Sequence, residues 1–293
     1  MARRIQEAGW PLVVYNRDIG ATKPFAEKGI KVAGNPREVA ASSDIVFSMV
    51  TDDQAVRNIA FGRDGIFAGL REDKIYADIT TASSELALEL QSAATGIGAK
   101  TLDVKVSGSI EPAEKGELLI LVGGDSQAIE RVRPVLEVLG RKIIRTGSHG
   151  TASLIKIAIN VLLDLQMEAL SEALVITQKA EIATDVIAEA INSSGMSSPF
   201  IKGKLQTIQN QDYRSQFALR LAQKDLELAL DESKRLMAPI PATAATNEVA
   251  KSALAAGLGD KDMSALYLLI TSLAGTVAEP IKSKTMKEPA QSM

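Results

Sequence analysis

The chain has 293 residues, 46% hydrophobic and 24% charged, which excludes a disordered polymer and leaves room for two domains. A net charge of −3 gives no electrostatic footprint for nucleic acid, and the absence of cysteine excludes disulfides, thiol nucleophiles and thiolate metal sites. The first residues are charged, and the most apolar stretch, 154–165, is interrupted by Lys156, Asn160 and Asp164, so a cytoplasmic protein with no membrane partner is expected.

Residues 1–9 read as a helix, with Ile5 and Ala8 apolar, Arg3, Arg4 and Glu7 polar, and Gly9 placed to cap its end. A short apolar strand, 11–15, follows and ends in Asn16-Arg17-Asp18. Such a helix and strand form the second half of a strand–helix–strand unit whose first strand is missing. Further strands rich in Val and Ile are expected at 30–32, 44–50, 74–79, 101–106, 118–122 and 142–145. Helix starts lie between them. Asn35-Pro36-Arg37-Glu38 offers a cap, a proline at the first helical position and an acid at the third, and Thr51-Asp52-Asp53-Gln54 has capping-box spacing.

This alternation predicts an α/β fold with a mainly parallel sheet covered on both faces by helices. From Thr151 onward the pattern is helical only, over 151–180, 183–193, 218–237, 241–257 and 262–275. The first of these would be about 45 Å long, enough to leave one domain and cross another. The expected organisation is a nucleotide-binding type domain at 1–149, a helical domain at 150–276 and a flexible tail at 277–293.

Ligands of such sheets bind at the carboxyl ends of the strands, which singles out four stretches. Where an acid would accept hydrogen bonds from ribose hydroxyls, Asn16-Arg17 suits a 2′-phosphate and points to NADP(H); Asp18 either adds an acid there or caps the next helix. Met49, Val50 and Thr51 end the next buried strand; they line the adenine and pyrophosphate side of a cofactor, or Thr51 caps a helix. Thr80 and Thr81 end another strand, as ligand-facing hydroxyls or as a cap for the helix through 85–90. Ser107-Gly108 allows close backbone approach, so consecutive N–H groups could hold a carboxylate; a plain turn is the alternative.

On the long helix Ser153, Lys156, Asn160, Asp164 and Glu168 form one polar stripe, the wet face of an ordinary amphipathic helix. Lys156 is nevertheless surrounded by Leu154, Ile155, Ile157, Ala158 and Ile159, a setting that suits a proton-transferring lysine. Lys224, beside Asp225, has the spacing of a surface ion pair. The single histidine, His149, reads as a polar loop residue, and no metal site is expected.

In this order, "MARRIQEAG", "VVYNR", "VFSMVTDD", "ADITT", "DVKVSGS", "ILVGGD", Lys156 with Asn160, "KDL" and "GDKDMSAL" resemble the β-hydroxyacid dehydrogenase family, which includes 3-hydroxyisobutyrate dehydrogenases and glyoxylate/succinic semialdehyde reductases. The resemblance runs to about residue 275 and implies a Rossmann-like domain, a long interdomain helix and a helical domain that assembles a homodimer or homotetramer. It makes Lys156 the general acid/base and Asn160 its hydrogen-bonding partner. It assigns Ser107 and Gly108 to the substrate carboxylate, places Thr81 near the nicotinamide, and places Lys224 near cofactor and substrate. The implied reaction is NADPH-dependent reduction of a small carboxylated aldehyde, or the reverse oxidation. Imine reductases share the fold but usually replace the lysine; a scaffold module without catalysis is the remaining alternative.

The chain departs from the family pattern at four places. Asp103-Val104-Lys105 stands where the family has Asp-Ala-Pro, Ser109 where hydroxyisobutyrate enzymes have glycine, and Ala152 where a second glycine follows Gly150. Ser109 leans toward the semialdehyde reductases. The fourth departure is at the start, where roughly fourteen residues of the pattern, a strand and a G-x-G-x-x-G loop, are not represented. Met1 is therefore expected to be an internal residue of a longer protein. As it stands the chain is expected to bind cofactor poorly, with a gap of about 10 Å opened in the sheet.

Overall fold

The computed structural model describes residues 1–276; the expected flexible tail at 277–293 lies outside them. In chain order the elements are α1 (Ala2–Glu7), β1 (Val13–Val14), α2 (Lys23–Ala26), β2 (Lys31–Val32), α3 (Pro36–Ala41), β3 (Ile45–Ser48), α4 (Asp53–Phe61), α5 (Ile66–Gly69), β4 (Ile75–Asp78), α6 (Ser84–Thr95), β5 (Lys100–Ser107), α7 (Ile110–Lys115), β6 (Leu118–Gly124), α8 (Ser126–Leu139) and β7 (Gly140–Gly147). The helices α9 (Thr151–Lys179), α10 (Thr184–Ser193), α11 (Pro199–Gln209), α12 (Leu219–Leu236), α13 (Pro241–Ala255) and α14 (Leu266–Leu273) follow.

The described residues form two compact units, Met1–Val161 with Glu227–Ile240, and Leu162–Leu226 with 241–276. The start of α9 and the end of α12 both belong to the first unit.

Strands β3, β4 and β5 run parallel, β5 and β6 antiparallel, and β6 and β7 parallel, in the spatial order β3-β4-β5-β6-β7. Ser48, Asp78 and Asp103 lie side by side in this register. One core cluster joins Ile5 of α1 and Val132 and Leu136 of α8 to Ile75, Leu102 and Ile120 of the sheet. Another joins Val56 of α4, Ile66 of α5 and Leu86 and Leu90 of α6 to Val46 and Tyr76. Helices thus cover both faces, as the strand–helix alternation requires. Strands β1 and β2 pair only with each other, Val13 with Lys31 and Val14 with Val32, as a separate two-stranded parallel sheet. Among the described residues, no strand pairing links β1 or β2 to β3.

Local chemistry fixes the helix ends. Asn35 accepts the Glu38 N–H at 2.9 Å while Glu38 accepts the Gly34 N–H at 2.8 Å, a reciprocal cap on α3. Asp125 caps α8 through the Ala128 N–H at 2.9 Å. Two caps differ from the sequence reading. Asp52, not Thr51, accepts the Ala55 N–H at the start of α4, and Ser83, not Thr80 or Thr81, accepts the Leu86 N–H at the start of α6. In each case the residue that sits immediately before the first helical turn takes the role.

In the second unit, Met167, Leu174, Leu205, Leu219, Ala253 and Leu266 join α9, α11, α12, α13 and α14 in one core. Helix α11 is absent from the sequence reading: its Ser198 cap and Pro199 are start signals, but the preceding Ser-Ser-Gly run reads as loop. Asp262 organises this unit. Its carboxylate accepts from Lys204 Nζ (2.6 Å), the Gln216 and Phe217 N–H groups (3.1 Å each) and Ser264. The "GDKDMSAL" stretch has structural work there. Among the described residues no helix is long and apolar enough to cross a membrane.

Candidate active site

The carboxyl ends of β1, β3, β4 and β5 bring most of the expected residues to the first unit. Beyond β1, Asn16, Arg17 and Asp18 are all exposed. Asn16 Oδ1 accepts the Asp18 N–H at 2.8 Å, and Asp18 Oδ1 accepts the Gly20 N–H at 2.8 Å, capping the single turn Ile19–Thr22. Asp18 thereby takes its capping role, and the Arg17 guanidinium is the exposed cation at the strand end.

After β3, Met49 is exposed and Thr51 donates to Asp52 Oδ2 at 2.8 Å. Val50 is half-buried, and its N–H donates to Thr80 Oγ1 at 3.1 Å. Thr80 is wholly buried and its hydroxyl donates to Asp78 at 2.8 Å, while Thr81 is half-buried in the same turn. The two loops that carry Val50 and Thr81 are thus stitched to each other through Thr80.

Strand β5 ends at the half-buried Ser107, and Gly108 follows with φ of 139°. A Cβ there would lie 2.8 Å from Leu118 Cδ2 and 3.1 Å from Pro112 Cβ, so both conformation and space require glycine. The turn exposes backbone at this point, which fits the close approach of a small carboxylate.

Helix α9 carries Lys156, half-buried, and Asn160, 3% exposed, one turn apart on the same face. The wet-face reading of its polar stripe is overturned: Ser153, Asn160, Asp164 and Glu168 are buried, whereas Leu162 and Ile176 are 62% and 70% exposed. Polar periodicity marked the face correctly and its environment wrongly, because these groups are satisfied or held inside the protein. Lys224 lies on α12 within the second unit, half-buried, and pairs with Asp225 at 2.8 Å.

Three residues outside the expected set complete the first unit's polar interior: Asp78, Asp103 and Lys105, each at most 3% exposed. The alternation in "LDVKVSG" held the signal, since 103, 105 and 107 share one face of an apolar strand and two of them bear opposite charges.

Asn16 and Arg17 are exposed beyond β1, and Thr81, Ser107 and Lys156 are half-buried in the same unit, so polar and cationic groups of the kind a dinucleotide needs are present there. Gly123-Gly124 supplies no phosphate cradle. A Cβ on Gly123 would meet Ser148 O at 2.5 Å, and Asp125 already occupies the N-terminus of α8.

Two family models match the chain: one described as the NAD-binding domain of 6-phosphogluconate dehydrogenase over residues 1–147, the other as the NAD-binding region of NADP-dependent 3-hydroxyisobutyrate dehydrogenase over 150–270. Fold, site and these matches define an NAD(P)-dependent oxidoreductase. Glyoxylate/succinic semialdehyde reductase 1 of Arabidopsis thaliana is 32% identical, over 91% of this chain and 92% of its own length. The 2-(hydroxymethyl)glutarate dehydrogenase of Eubacterium barkeri is 32% identical over 85% and 83%. The crystal structure of a 3-hydroxyisobutyrate dehydrogenase from Salmonella typhimurium superposes with a TM-score of 0.84 at 27% identity, covering 92% of this chain and 94% of that one. The chain belongs to the β-hydroxyacid dehydrogenase family.

Proposed function

We propose that this protein reduces a small carboxylated aldehyde of the glyoxylate, succinic semialdehyde or tartronate semialdehyde type with NADPH, or oxidises the corresponding hydroxyacid. The observation that carries this reading is the placement of Lys156 and Asn160 one turn apart on one face of α9, in the same unit as Ser107, Gly108 and Thr81. When bound, the nicotinamide cofactor supplies the hydride. Arg17, with Asn16, selects the 2′-phosphate, and Met49, Val50 and Thr51 line the adenine and pyrophosphate side.

The backbone at Ser107-Gly108 holds the substrate carboxylate, so that the carbonyl is oriented before reaction. Lys156, as the ammonium, gives its proton to the oxygen that gains charge during reduction, and in the reverse direction its neutral amine takes the proton. Asn160 orients that amine, and Thr81 borders the reacting end. Homodimer or homotetramer assembly is part of the same proposal.

Lys156→Ala should abolish turnover in an NADPH-coupled assay with glyoxylate and succinic semialdehyde while leaving NADPH affinity within about twofold. Retained turnover would remove Lys156 from the chemistry. A scaffold role is the second reading, favoured by the interrupted sheet and the lack of a glycine cradle at Gly123-Gly124. Titration with NADPH and NADH decides between them: no binding of either favours the scaffold, and tighter NADPH binding favours the reductase.

A further inference from the structure

Lys105 is 2% exposed on the central strand β5, between Val104 and Val106. Its ammonium donates to the Asp78 carbonyl (3.2 Å) and Asp78 Oδ2 (3.3 Å), and pairs with Asp103 Oδ1 at 3.1 Å. All three of its N–H donors therefore have acceptors. Burial works against its charge, but the carboxylates of Asp78 and Asp103 outweigh it and hold the lysine above its ordinary range. The cluster thus sets one lysine between two buried aspartates.

Each carboxylate then reaches a different part of the site. Asp78 Oδ1 accepts the Ser48 hydroxyl at 2.6 Å and the Thr80 hydroxyl at 2.8 Å, and Thr80 Oγ1 receives the Val50 N–H. This branch holds the loops after β3 and β4, which carry Met49–Thr51 and Thr81. Asp103 takes the other branch: it accepts the Ser153 N–H at 3.0 Å and the Ser153 hydroxyl at 2.9 Å. That N–H belongs to the first turn of α9, where helical amides have no partner within the helix and a negative charge is favoured. Ser153 lies one turn ahead of Lys156. Two residues beyond Lys105, β5 ends at Ser107.

A buried ion cluster is a poor device for stability, because apolar replacements of such groups are often neutral or stabilising. Its value is geometric, since each member has only one arrangement that satisfies it. We propose that Lys105 is a positioning residue, which through Asp103 and Ser153 sets the depth of α9 and hence of Lys156, and through Asp78 and Thr80 sets the loops opposite. The inference rests on the reductase reading for its catalytic consequence, and on the hydrogen-bond network alone for its structural one.

Removing the lysine leaves two buried cross-strand carboxylates without the partner between them, so the arrangement that holds Ser153 and Thr80 is no longer enforced. The test compares Lys105→Met, Lys105→Arg and the double variant Lys105→Met/Asp103→Asn, which removes the surplus charge and keeps a folded control. For each, kcat, KM, the urea midpoint and amide exchange at Ser153–Lys156 are measured by steady-state assay and NMR.

The expected result for folded Lys105→Met and for the double variant is a roughly 10- to 100-fold loss in kcat, with KM for NADPH within about twofold. The Ser153 amide should exchange at least about tenfold faster, and Lys105→Arg should recover most of kcat. Wild-type kcat together with unchanged Ser153 exchange in a folded variant overturns the proposal. So does failure of both Met-containing variants to fold, which would make the cluster structural only. If the wild-type protein reduces no aldehyde in the panel, the reductase reading fails, and Ser153 exchange alone then upholds or overturns the positioning role.

Discussion

At Gly108 a single hydrogen atom decides whether β5 can end as it does. Its φ of 139° and the 2.8 Å separation from Leu118 Cδ2 leave no place for a methyl group. Gly108→Ala should destabilise the first unit by about 1–3 kcal/mol and lower kcat/KM, because the backbone proposed to hold the substrate carboxylate must move. Urea denaturation and steady-state kinetics check both, and an unchanged midpoint would mean that α7 simply shifts aside. Ser-Gly was readable as a turn from the sequence; the need for glycine was not, because Leu118 and Pro112 come from elsewhere in the chain. Lys105 is the converse case. Its charge is plain in "DVKVSG", yet only the cross-strand register places Asp78 beside it. Thr51 and Ser83 show the finer difficulty: several polar residues precede α4 and α6, and a shift of one position decides which of them caps.

Strands and helices were mostly legible, since apolar runs and turn residues alternate along the first unit and a 3.6-residue period dominates the second. Short elements fared worst. Helix α11 hides behind a Ser/Gly-rich approach, and β1 and β2 shrink to two residues each. Their pairing involves only Val13–Lys31 and Val14–Val32, and the β2 residues are exposed. Such a ladder has little burial to resist local opening, whereas every residue of β4 is buried. Amide hydrogen exchange should therefore find β1 and β2 exchanging at least about a hundredfold faster than β4 and β5. Equal protection across both sheets would contradict the division between β1 and β3. Helix α9 carries the clearest lesson at this scale, because a polar stripe tells which residues share a face but not what covers that face.

For the molecule as a whole, that buried stripe makes stability depend on pH. Burial, and after it the Glu172 carboxylate, pushes Glu168 up to about 7. The unfolded chain would titrate it near 4.5, so between these values the folded state binds the extra proton. Stability conferred by protonated Glu168 is present below that window and is lost as pH rises through it, by up to about 3 kcal/mol. Glu168→Gln should flatten this slope. Urea midpoints at about pH 5 and about pH 8 should differ less in the variant than in the wild type, and an identical pH dependence would show that Glu168 does not titrate there.

The first unit is assembled from two separated pieces of chain, Met1–Val161 and Glu227–Ile240. Within it, Glu232 Oε1 accepts the Ser84 N–H at 2.8 Å at the start of α6, and Arg235 pairs with Glu232 at 2.6 Å. A stop codon after Val161 would thus delete one of the acceptors at the α6 terminus, although every strand of the sheet would remain encoded. Expression of the dinucleotide-binding half as an independent module requires the 227–240 segment to be supplied with it. In packing, 227–240 is therefore a part of the strand-bearing unit, although helical segments of the other unit flank it in sequence.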